Sequence, residues 1–166
     1  MTLIVEDGTQ VANSNTYVSD IEYSAYAAAR GKTIGSDSVA REIELIKAMD
    51  YIESHRRQFK GNKVAFDQSL QWPRYSVFID GFSIDSDAIP NELQNAQMET
   101  AIAINSFEVL NSGANQNVKS EELGQMKVEY FNGGSWNDSQ LETVAVYLDV
   151  LLDSSGIGIS ATVSRK

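Results

Sequence analysis

The chain has no cysteine, one histidine and two prolines in 166 residues. Without cysteine there is no disulfide framework, no thiolate nucleophile and no cysteine-based zinc site. A single histidine excludes a histidine-rich metal cluster. Folding must rest on burial alone, which fits a protein made in a reducing cytoplasm. No apolar run approaches the ~20 residues needed to cross a bilayer, so no membrane partner is expected. The opening, Met1-Thr2-Leu3-Ile4-Val5-Glu6-Asp7, lacks a basic stretch, and no secretion signal is expected there.

Positive charge is scarce as well. Thirteen Lys and Arg face 23 Asp and Glu, for a net charge of −10. The deficit is uneven: residues 1–80 hold 9 bases against 11 acids, and residues 81–166 hold 4 against 12. An acidic second half repels phosphate backbones, so the overall charge argues against nucleic-acid binding. It also keeps a protein in solution. The hydrophobic fraction of 42% is ordinary for a globular chain. A chain this long suits one domain that buries roughly 70% of its unfolded surface.

Helical periodicity is what the chain has most of. Ser19 reads as an N-cap, with Asp20 and Glu22 in a first turn and Tyr23, Tyr26 and Ala27 on one face. Arg30-Gly31 stops that helix. A second opens near Ser36 or Ser38 and is expected to reach about Phe59, with Val39, Ile43, Ile46, Met49 and Ile52 on its inner stripe and Leu45 widening it. His55, Arg56, Arg57 and Lys60 then form a basic helix end. A third starts at Pro90 and stops before Ser112-Gly113, lined by Leu93, Ala96, Thr100, Ala101, Ile104 and Phe107. Residues 118–131 alternate as a β-hairpin does. Asn137 or Asp138 caps a fourth helix, faced by Leu141, Val144, Ala145, Leu148, Leu151 and Leu152. Leu3 to Val5 reads as a short strand.

Between the second and third helices lies an irregular stretch, residues 59–90, centred on Gln71-Trp72-Pro73-Arg74. Pro73 fixes its own φ and restricts Trp72, so the indole is held at a set angle. Trp72, Pro73 and Arg74 therefore read as a structural anchor or interface. The aromatics Tyr75, Phe78 and Phe82 offer faces for stacking on bases. A long connection without helix needs anchors, however, and that is the reading preferred for most of them. The fold expected is mainly α: four helices in a single domain, 1–155, with a β-hairpin and a long ordered connecting loop. Residues 156–166 form a C-terminal arm whose Ile157, Ile159 and Val163 alternate, suited to adding a strand to a partner's sheet.

Chemistry is thin. His55 has no nucleophile motif beside it and reads as a partly exposed surface histidine. Arg56, Arg57 and Lys60, with Lys63, form a basic patch that could bind phosphate, but a solvated helix end or an interface with an acidic patch on a neighbouring subunit is the preferred reading. Asp80-Gly81 to Asp87 looks superficially like a calcium loop, but its glycine comes too early and Glu92 arrives one residue late. No nucleophile, base and orienter appear together, so no enzyme, no cofactor and no metal are expected.

An ordered set of motifs resembles a known group. Leu3-Ile4-Val5-Glu6-Asp7-Gly8-Thr9 with Asn15-Thr16-Tyr17-Val18 resembles the opening of certain tailed-phage and prophage structural proteins. The likeness continues through Tyr26 to Gly31, Ala48 to Ile52, Phe59-Lys60-Gly61, Gln68 to Arg74, Ile89-Pro90, Ala96 to Ala101 and Lys119 to Tyr130. Members are often labelled DnaT-like single-stranded-DNA-binding proteins, and they look like head–tail adaptors that form a ring beneath the portal. A single-strand binder needs a basic groove, whereas an adaptor ring tolerates acidic walls around passing DNA. On that ground the expectation is a virion protein: a bacteriophage head–tail connector subunit for head completion, made in the host cytoplasm. The resemblance implies a homo-oligomeric ring of about a dozen copies, with portal and tail or stopper proteins as partners and DNA passing without tight binding. Glu121, Glu122 and Glu129 would face its lumen, and Ile157, Ile159 and Val163 would dock on the portal. The alternative is a single-stranded-nucleic-acid-binding replication accessory protein.

Overall fold

The computed structural model describes residues 2–112, 120–123, 126–129 and 138–153. The first helix, α1 (Asp20–Ala29), starts on a capping box. Glu22 N donates to Ser19 Oγ at 3.3 Å, and Ser19 N donates to Glu22 Oε2 at 2.7 Å. Its end closes as a Schellman motif. Gly31, at φ 61°, donates to Ala28 O at 3.2 Å, and Lys32 donates to Ala27 O at 3.0 Å.

The second helix, α2 (Ser38–Ser54), is capped by Asp37, which accepts from Ala40 N at 2.9 Å. It ends short of the expected Phe59. After Ser54 the bonding shortens to three-residue spacing, with Arg56 N to Glu53 O at 3.1 Å and Gln58 N to His55 O at 2.8 Å, which turns the chain. The basic cluster therefore sits on a turn outside the helix. Its inner face is Leu45, Ala48, Met49 and Ile52, joined by Glu44. Val39 and Ile43 lie on the outer side, 55% and 41% exposed, so the expected stripe is rotated.

The third helix, α3 (Asn91–Ser112), is the central one and packs against α1, α2 and α4 (Asp138–Asp149). Positions 96 to 104 are buried without a break, as befits a helix enclosed on most sides. Gln97 is fully buried and fully used. Its Oε1 accepts from Tyr17 N at 2.9 Å, while Nε2 donates to Thr16 Oγ1 at 2.8 Å and Leu45 O at 3.1 Å. The N-terminal segment is thereby stitched to two helices. Of the expected strand at Leu3 to Val5, only a parallel bridge between Val5 and Thr16 forms.

The core falls into two clusters. One joins Tyr23, Tyr26 and Ala27 of α1 to Leu45, Ala48, Met98, Ala101 and Ile102. The other gathers Met49, Ile52, Phe59, Trp72, Val77, Ile79, Leu93, Val144 and Leu148. α2 and α3 supply both, which makes them the spine.

The expectation of a mainly α fold needs correction. Beside four helices, the described residues contain three two-stranded antiparallel sheets, so the architecture is mixed α/β. Two of those sheets lie in the connection between α2 and α3. There β1 (Asn62–Lys63) pairs with β2 (Arg74–Tyr75), and β3 (Val77–Ile79) with β4 (Phe82–Ile84). The third is the anticipated hairpin, β5 (Ser120–Leu123) with β6 (Met126–Glu129), and it carries Glu121, Glu122 and Glu129. Ile157, Ile159 and Val163 of the expected arm lie outside the described residues.

Candidate nucleic-acid interface

The connection is built from the inside outwards. Trp72 is completely buried, edge-on to Phe59 with ring centroids 6.1 Å apart. Its backbone N–H donates to the Tyr17 hydroxyl at 3.0 Å, which in turn donates to Glu53 Oε1 at 3.1 Å. Gln71 N donates to the same oxygen at 3.1 Å. Burial raises the Glu53 carboxyl above the usual glutamate range, against the pull of those two donors. Burial likewise holds the Tyr17 phenol well above an ordinary tyrosine, with Glu53 adding to the effect.

Arg74 closes the frame. Nε donates to Lys60 O and Nη2 to Gly61 O, both at 2.7 Å, while Nη1 reaches Gln71 O at 3.3 Å. The guanidinium also stands over the Phe59 ring, 5.8 Å from its centroid. This planar fork thus ties the turn after α2 to strand β2. Those bonds join the backbone of Lys60 and Gly61 to the Trp72–Arg74 segment. Arg56 and Arg57 are exposed, whereas the Lys60 ammonium donates to Val150 O at 2.8 Å. The chain after α2 is further joined to the end of α4, with Lys60 N on Leu151 O at 2.9 Å and Asp153 N on Gln58 O at 2.7 Å. His55 is half-buried against Tyr51.

What this frame presents is aromatic. Phe66 is 100% exposed, Phe82 76%, Phe78 58% and Tyr75 47%. Of the four aromatics singled out from the sequence, Trp72 is buried, while Tyr75, Phe78 and Phe82 face outwards. Phe66 had no sequence signal. The β3–β4 hairpin had one: Asp80-Gly81, both at positive φ (50° and 85°), forms the two-residue turn flanked by Ile79 and Phe82. A calcium loop is not what these residues build. Among the described residues no group of three or more His, Asp and Glu side chains is placed to hold a metal.

Charge follows the same segment. Residues 55–79 contain five Lys and Arg against one acid, Asp67, a local net of +4 in a chain of −10. Exposed aromatics and positive charge are the residue types that single-strand binding uses. The chain belongs to the family described as "Putative DnaT-like ssDNA binding protein", whose family model matches residues 1–166. No curated protein and no solved structure matches it.

The family overturns the connector expectation. Its description is of a protein that binds single-stranded DNA, and a structural ring with portal and tail partners is withdrawn. The physical error lay in averaging charge over the chain. At 0.1 M salt the Debye length is about 10 Å, so the net charge of a whole chain is a poor guide to the field at one stretch of its surface. Among the described residues no helix is long and apolar enough to cross a membrane.

Proposed function

We propose that this protein binds single-stranded DNA through residues 55–84, as a non-catalytic accessory of nucleic-acid metabolism. Arg56 and Arg57 contact phosphates, and Tyr75, Phe78 and Phe82 offer ring faces to the bases. The observation that supports this most is the coincidence of exposed aromatics and positive charge in one braced segment of an otherwise acidic chain. Duplex DNA shields its base faces by stacking, so the aromatic contribution is available only to a single strand.

The test is a fluorescence-anisotropy titration of a labelled oligothymidine across a salt series. Affinity falls as salt rises, and Arg56→Ala with Arg57→Ala reduces the slope of log K against log salt by about 1.4, or 0.7 per phosphate on a single strand. Equal affinity for single-stranded and duplex DNA, or a slope that the double variant leaves unchanged, counts against the reading.

A further inference from the structure

Phe66 is the least expected side chain of this surface. A phenylalanine that is wholly exposed gains nothing from folding, and a slack loop would let it collapse onto nearby apolar surface. The loop is not slack. Gln68, only 7% exposed, holds it from within: Oε1 accepts from Ala65 N at 2.9 Å, and Nε2 donates to Leu70 O at 2.9 Å and Pro73 O at 3.0 Å. Lys63 Nζ donates to Gln68 O at 3.1 Å, and Val64 N to Pro73 O at 3.4 Å. The loop that joins β1 to β2 is thus fastened to the Trp72–Pro73 segment with its aromatic ring held in solvent.

We propose that Phe66 stacks on an unpaired base of the bound strand, with the Gln68-braced loop holding the ring in place in advance. This rests on the single-strand reading above. Two features select a base over a phosphate as the occupant. The tip is apolar, and its neighbour in sequence is an acid, Asp67, which repels phosphate. Arg56 and Arg57, exposed elsewhere in the same segment, then hold the backbone. A ring ordered before binding avoids the rotamer entropy that a mobile side chain loses on contact.

The test compares Phe66→Ala, Phe66→Leu and Phe66→Tyr with the unaltered protein, using an oligothymidine containing one 2-aminopurine. Since Phe66 is fully exposed, all variants should melt as the parent does. Alanine and leucine each lose about tenfold in affinity with the salt slope unchanged, and tyrosine keeps it. The 2-aminopurine emission change on binding shrinks with alanine and leucine alone. If the parent binds but alanine matches it, or leucine substitutes fully, base stacking by Phe66 is wrong and the single-strand reading stands. If the parent does not bind at all, both fall.

Discussion

Glu53 shows how a single side chain fixes the frame. Its carboxylate accepts from Tyr17 Oη and Gln71 N, so it links α2 to the N-terminal segment and to the Trp72 turn. Burial raises its folded pKa above the ordinary 4.5. Between those two values the folded state carries more proton than the unfolded one, so stability falls as pH rises through the window. Above the raised value the whole penalty is present. Glu53→Gln keeps an acceptor for both donors and removes the charge. It should be at least as stable as the parent at pH 7, with the advantage vanishing as pH drops below the ordinary glutamate value. Parallel denaturation curves for the two proteins across pH would show that Glu53 carries no such linkage. Trp72 was legible as a fixed residue because proline follows it. Its partners Tyr17 and Phe59 were not, since they come from positions that no local pattern relates.

Among the elements, α1 was legible because its cap and periodicity agreed with its packing, and α3 and α4 were legible from periodicity. α2 was legible in existence but not in face. Its sequence carries two apolar stripes, and only contact with α3 decides that Leu45, Ala48 and Met49 go inwards while Val39 stays out. The strand pairs were harder, because ladders of two or three residues leave little alternation to read. Two glycines test these elements. Gly81 at the β3–β4 turn has φ +85° and open space around an added Cβ, so Gly81→Ala meets backbone strain alone, roughly 1–2 kcal/mol. Gly61, before β1, has φ +66°, and an added Cβ would collide with the Tyr75 carbonyl and Val77 Cγ2. Gly61→Ala should therefore cost a further 1–3 kcal/mol or so from overpacking. It should also weaken DNA binding, because Tyr75 shares that ladder. Equal melting temperatures for the two variants would contradict the placement of Gly61.

For the molecule as a whole, charge is the property that sequence reading handled worst. A net charge of −10 describes the far field, yet a bound strand meets the near one. Arg74 is tied to the turn after α2 by its bonds to Phe59, Lys60 and Gly61. Exposure of Tyr75, Phe78 and Phe82 follows from strand pairing, which composition does not record. The acidic remainder has a part in the same account, since it discourages a strand from lying anywhere except along residues 55–84. The most direct measurement is an amide chemical-shift map of the labelled protein with an oligothymidine of about ten nucleotides, a usual single-strand site size, at about 0.1 M salt. The account predicts shifts concentrated in residues 55–84, with Phe66, Tyr75 and the Asp80-Gly81 turn among the largest. Shifts centred on the outer face of α2 or on the β5–β6 hairpin, or no shifts at all, would contradict it.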